Sequence, residues 1–154
     1  MMAKYRVLDS EELAAFQKEF IEFLVINSIT ADDWVKIKAE DPERTNTIIS
    51  LFSDVIFEKL MRQTQYLIKR TKQNIACFHY QATQAVLVGL QTERTDIDLL
   101  TISAVDQLPA EGVSIYNSTK DYTKQREVEM FEMLNTGAEI SDGKLYKILC
   151  LGLA

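Results

Sequence analysis

Cys77 and His79 stand two residues apart in the run KRTKQNIACFHYQATQ, residues 69 to 84, which holds the only histidine of the chain. Successive side chains of a strand point to opposite faces. If this run is a strand, Ile75, Cys77, His79 and Gln81 share one face while Ala76, Phe78 and Tyr80 share the other. A thiol and an imidazole on one face could act as nucleophile and base, or as two ligands of a zinc ion. Each chemistry asks for more than the run supplies. Zinc takes three or four ligands at about 2.0 to 2.3 Å, and the CxxC or HxxxH spacing that advertises such a site is missing. A cysteine nucleophile needs its base within about 3 Å, and strand side chains at i and i+2 stand farther apart than that unless they lean together. The competing reading is a half-buried cysteine and a hydrogen-bonded histidine, with no metal.

Asp96 and Asp98, beside Glu93, have a D-x-D spacing that suits an oxygen-loving cation such as Mg²⁺. Acidic residues ahead of a strand are also ordinary turn formers, and no glycine-rich loop stands by to hold a phosphate. Glu127, Glu129 and Glu132 share a segment with Lys120, Lys124 and Arg126, which reads as a solvated, charge-balanced face. No cofactor is expected.

The charges themselves are unevenly distributed. Residues 1 to 58 carry twelve acids and six bases, and residues 93 to 154 carry eleven acids and six bases. Residues 59 to 92 carry Lys59, Arg62, Lys69, Arg70 and Lys72 with no Asp or Glu. Strands disfavour Asp and Glu, which accounts for part of the deficit. Lys69, Arg70 and Lys72 lie where one strand ends and turns into the next, so this basic turn is a candidate contact for an acidic partner. The alternative is internal pairing with the acidic helices.

Positioning these residues falls to elements with clear periods. Asp9 and Glu12 have capping-box spacing, and Leu13, Phe16, Phe20, Phe23 and Leu24 recur at helical intervals, predicting a helix from Asp9 to about Ile26. Thr30 and Asp33 repeat the cap before a short helix that Asp41-Pro42 ends and restarts. The helix that follows, to about Gln63, carries apolar residues around most of its circumference. It is expected to be central and buried, with Phe52 and Ile56 nearly inaccessible. The period then becomes strand-like over Gln65 to Arg70, Ile75 to Gln81 and Ala85 to Gln91, with turn-length TKQN and ATQ between them. Further strands are expected over Ile97 to Val105 and Val113 to Asn117. From Asp121 a helical period returns, with Val128, Phe131 and Leu134 on one face, and ends near Gly137. Ser141 then caps a last helix, Leu145 to Leu151, or SDGK turns a hairpin and the tail is a strand. The fold expected is α+β: N-terminal helices, an antiparallel meander of three to five strands, and C-terminal helices covering one sheet face.

The run ITADDWVKIKAEDPE, followed by LFSDVIFEK and the later FHYQ, resembles an uncharacterised domain-of-unknown-function family of small acidic proteins from the Bacteroidetes, over about the first 90 residues. The resemblance implies no activity, cofactor or residue role.

At 154 residues, 47% of them apolar, the chain is sized for a single domain over 1–154 that can bury a core. A formal charge of -6 argues against general nucleic-acid binding. The first residues, MMAKYRVLDSEE, contain no apolar leader, and no run is long enough to cross a bilayer, so a cytoplasmic protein without membrane contact is expected. Cys77 and Cys150 are read as free thiols. The missing catalytic signatures point to a non-catalytic binding or self-associating module with a basic sheet edge. The alternative is a small enzyme or ligand-binding domain using Cys77 and His79, helped by Tyr80 or Tyr116.

Overall fold

Asp9 and Glu12 act as their spacing demands. The Glu12 N–H donates to Asp9 Oδ1 at 2.9 Å and the Asp9 N–H donates to Glu12 Oε1 at 3.1 Å, satisfying amide donors that a helix start leaves unpaired. A computed structural model describes residues 3–102 and 107–153. Its elements group into two compact units, residues 1–60 and 61–154.

In the first unit, α1 (Ser10–Ala15) and α2 (Gln17–Ile26) replace the single helix expected from Asp9 to Ile26. Phe16, with φ −102° and ψ 26°, leaves the helical basin and divides them. α3 (Ala31–Glu40) opens on the second capping box, with Asp33 N–H donating to Thr30 Oγ1 at 3.0 Å and Thr30 N–H to Asp33 Oδ2 at 3.1 Å. α4 (Pro42–Gln63) starts on the proline, as the sequence predicts, with Asp41 Oδ1 accepting from Arg44 N–H at 3.0 Å. The core of this unit is aromatic. Phe52 of α4 lies 5.0 Å from Phe20 and 5.4 Å from Phe23 of α2, ring centroid to centroid, and Trp34 of α3 meets Phe20 edge-on at 5.1 Å. Ile48, Phe52 and Phe57 of α4 are buried, but Leu51, Val55 and Leu60 are exposed and Ile56 is only half-buried. The expectation of a helix buried all round, with Ile56 inaccessible, is thereby corrected: α4 has one buried stripe. α2 is similar, burying Phe20 and Leu24 while Ile21, Val25 and Ile26 face outward.

The second unit is built on five strands: β1 (Tyr66–Arg70), β2 (Asn74–Tyr80), β3 (Gln84–Gln91), β4 (Ser114–Asp121) and β5 (Glu139–Ser141). All pairings are antiparallel and the order is β4-β3-β2-β1-β5. The TKQN turn forms where it was expected, with Thr71 N–H donating to the Asn74 carbonyl at 2.8 Å. The register places Ile68 opposite Cys77 and Cys77 opposite Val88. Those side chains, with Ile75 and Leu90, form a face covered by α6 (Lys144–Leu151) through Leu145 and Leu149. On the other face Gly89 pairs with Tyr116. A Cβ at Gly89 would lie 2.1 Å from the Tyr116 ring, so glycine lets the ring lie flat on β3 and its hydroxyl donate to Asn74 Oδ1 at 2.7 Å.

Three expectations change here. The strand expected from Ile97 to Val105 is absent where the chain is described, Leu99–Thr101 being a 3-10 turn, and residues 103–106 lie outside the described residues. Asp98 is the reason. Its Oδ1 accepts from Leu100 N–H at 3.0 Å and its carbonyl from the Thr101 hydroxyl at 3.1 Å, local bonds that compete with a strand ladder. Helix α5 (Arg126–Asn135) begins later than Asp121, because β4 runs on to that residue. The tail after SDGK is a helix, yet Gly143 rather than Ser141 is its N-cap, with φ +84°. A side chain there would lie 2.7 Å from the Tyr66 ring.

Candidate functional site

Cys77 and His79 do share a face, and the fold gives them separate surroundings. Cys77 is 2% exposed among Ile68, Ile75, Val88 and Leu149. Burial pushes its thiol up from an ordinary 9.0 to about 12, which leaves almost no thiolate at neutral pH and no nucleophile. His79 is half-buried. It stacks on Tyr66 of the adjoining strand at 4.5 Å and 18°, and Tyr146 of α6 meets it edge-on at 5.4 Å. Burial first, then the charges of Arg126 and Lys147, hold the imidazole below its ordinary 6.5. Both residues are parts of a packed face.

The three bases of the turn diverge. Arg70 points to the Cys77 face and pairs with Glu139 of β5, Nη1 to Oε2 at 3.3 Å. Lys69, on the opposite face, donates to Thr136 Oγ1 at 3.2 Å. Lys72 is exposed in the turn itself, its carbonyl accepting from Leu99 N–H at 2.8 Å. Asp96 and Asp98 are likewise engaged separately. Arg94 grips Asp96, Nε to Oδ1 at 2.9 Å, while Asp98 caps the 3-10 turn. Among the described residues, no group of three or more His, Cys, Asp or Glu side chains is placed to hold a metal ion.

The arrangement with most chemical content lies elsewhere, on the face that carries Phe78 and Tyr80. Between that face and α5 is a cleft of about 420 Å³, within the size range of ligand sites. Phe78, Tyr80, Ala85 and Leu87 form its floor, Ser118 and Lys120 of β4 one side, and Glu129 and Met133 of α5 the other. Tyr122 lies parallel to Tyr80 at 6.3 Å, and Phe78 continues the aromatic row at 6.1 Å. Burial, followed by the nearby Tyr122 and Glu129, pushes the Tyr80 hydroxyl well above the ordinary tyrosine value, so it stays protonated.

α5 is anchored beside this cleft by Arg126. Its guanidinium donates to the carbonyls of Tyr80 at 3.0 Å, Met61 at 3.2 Å and Thr64 at 2.6 Å. Three carbonyls thus receive charge-assisted hydrogen bonds from one planar fork, the kind of geometry that Lys cannot imitate. Three residues along the helix, Glu129 is buried, its side chain 8% exposed. Its Oε1 accepts from Lys120 Nζ at 3.0 Å, while Oε2 has no hydrogen-bond partner among the described residues. The charge pattern concealed both roles, since Glu127, Glu129, Glu132 and Arg126 read as one balanced solvated face. The usable signal was apolar spacing, because Met130 and Met133 sit beside Arg126 and Glu129 on the inward side.

A more open hollow of about 650 Å³ lies at the opposite ends of β2 and β3, lined mainly by polar groups such as Gln73, Asn74, Gln91 and Thr92. It lacks the apolar floor that makes a small-molecule site adhesive.

A family model described as "Family of unknown function (DUF6495)" matches residues 1–153. That range takes in the sheet, the cleft and α6, well beyond the first 90 residues that carry the resemblance in sequence. No curated protein and no solved structure matches the chain. The chain belongs to this family of unknown function.

Proposed function

We propose that the protein is a non-catalytic binding module, and that the cleft between α5 and the β2–β4 face is where it receives an apolar group. One observation carries the reading: Phe78 and Leu87 remain partly exposed at the bottom of a walled cleft, on a sheet whose other face is packed shut by α6. Such a pocket gains from burying an apolar group, at roughly 25 cal/mol for each Å² removed from water. The buried, protonated Cys77 supports a module over an enzyme built on that thiol. Two free thiols support a reducing, cytoplasmic setting, and no described helix is long and apolar enough to cross a membrane.

The test uses methionine methyl NMR, because Met133 lines the cleft while Met61 is fully buried away from solvent. Titrating the neutral probe 2-phenylethanol is expected to move the Met133 methyl saturably and to leave Met61 in place. Ser118→Trp, which fills the mouth from an exposed strand position, is expected to abolish the shift. An unmoved Met133 methyl at saturating probe would refute the cleft as a binding site.

A second reading, self-association, is favoured by Ile21, Val25 and Ile26, which are 52%, 67% and 82% exposed on α2. Sedimentation would show a concentration-dependent dimer that Val25→Lys disperses. For an acidic partner, the basic turn offers mainly Lys72, since Glu139 already answers Arg70.

A further inference from the structure

The cleft that binds an apolar group also carries the means to select its charge. Its lining includes two carboxylates, Glu129 and Glu132, against one ammonium, Lys120. Its floor and flank include the rings of Phe78, Tyr80 and Tyr122. Aromatic faces carry negative potential and attract cations within about 6 Å of the ring centre. A buried carboxylate oxygen left without a donor is a group that native structures rarely tolerate without a reason. Glu129 Oε2 is such an oxygen.

From this juxtaposition we infer that the cleft recognises an organic ammonium on an aromatic or aliphatic stem, with Glu129 as the residue that reads the charge. The inference rests on the cleft being the binding site. The stem lies on Phe78 and Leu87, and the ammonium meets the Glu129 carboxylate beside Tyr80. Lys120 is the internal competitor. Its side chain is 68% exposed and Glu129's only 8%, so Lys120 is the partner that can swing into water and leave its place on the carboxylate to a cation arriving from the cleft side. Glu132 adds negative potential at the rim, where Lys124 reaches it from outside the cleft. A carboxylate that already holds one lysine and is walled by aromatic rings disfavours carboxylate and phosphate ligands.

The same chemistry occurs in a free amine and in a lysine side chain of a peptide, and the experiment separates them. The probes are 2-phenylethylamine, 2-phenylethanol, and an acetylated, amidated Phe-Lys dipeptide, each followed by the Met133 methyl and by calorimetry. The amine is expected to bind about tenfold more tightly than the alcohol, as a charge-assisted hydrogen bond exceeds a neutral one. That preference should vanish in Glu129→Gln. Lys120→Met is expected to tighten amine binding severalfold by removing the competitor, and it keeps the test open should Glu129→Gln fail to fold. Tighter binding of the dipeptide than of the amine assigns the site to a protein lysine, and the reverse order assigns it to a small amine. Equal binding of amine and alcohol would overturn the charge reading and leave the cleft standing. If neither moves Met133, both readings fall.

Discussion

Arg126 Nη2 donates to the Thr64 carbonyl at 2.6 Å, just past the end of α4, and the same guanidinium holds the carbonyls of Met61 and Tyr80. Arg126 is 15% exposed in its side chain, so these carbonyls have few substitute donors in water. Arg126 thus pins the first turn of α5, while Met130 and Phe131 bury the rest of the helix.

Arg126→Met should lower stability by about 3 kcal/mol, the scale set by leaving buried acceptors without donors. Arg126→Lys should recover less than half of it, because one ammonium cannot span three carbonyls. Urea denaturation monitored by circular dichroism measures both. A loss under about 0.5 kcal/mol, the ordinary size of a surface change, would show that the fork is dispensable.

Gly89 and Tyr116 form a matched pair across β3 and β4. Gly89→Ala should cost about 1 to 3 kcal/mol, as overpacking does, since the new methyl displaces the Tyr116 ring and its bond to Asn74. In a Tyr116→Ala background the same change should cost little. Equal costs in both backgrounds would show that the ring is not what excludes a side chain.

The sequence disclosed those parts of the fold whose cause is local. Both capping boxes, the Pro42 start, the TKQN turn and the Gly137 stop act within a few residues, and each is present. β5 could not be read, because Glu139–Ser141 is a strand only by pairing with Tyr66–Ile68. The Ile97 run failed because the Asp98 side chain outweighs the β-propensity of its neighbours. The cleft escaped for a related reason. Its wall is Glu129, and the charge pattern of a Glu-rich helix does not separate Glu129 and Glu127, which long-range packing draws inward, from Glu132, which stays in water; only the neighbouring Met130 and Met133 mark the inward side.

Cys77 and Cys150 should differ as thiols. Cys77 is buried and Cys150 partly so, so a thiol reagent at neutral pH should modify Cys150 in the native protein far faster than Cys77, which reacts only when its cover opens or the chain unfolds. Stability should also fall as pH rises from about 9.0 toward about 12. In that window the unfolded chain loses the Cys77 proton while the native state keeps it, so unfolding gains. Cys77→Val should flatten that part of the profile. Rapid native labelling of both thiols would contradict this placement.

His79 should act at the other end of the scale. Its native imidazole, stacked on Tyr66 and facing Arg126 and Lys147, takes a proton less readily than the unfolded one. The stabilisation is present above the ordinary 6.5 and is lost as pH falls below it. Comparing urea midpoints at about pH 7.5 and about pH 5.5, His79→Gln should reduce the drop seen in the natural sequence. An unchanged drop would place the acid sensitivity in other groups.

The order β4-β3-β2-β1-β5 also has a temporal meaning. β1, β2 and β3 pair across short turns that close early and β4 follows across the longer connection of residues 92–113, whereas β5 must reach β1 from the far end of the sequence. The β5–α6 tail is then the last piece to dock and the first to detach, while the meander holds. Leu145 and Leu149 close the Cys77 face together with Leu99 and Ile102, so a brief release of the tail opens the α6 side of that cover with the rest of the sheet intact. The rate at which Cys77 reacts in native conditions would thus clock the lifting of the C-terminal tail.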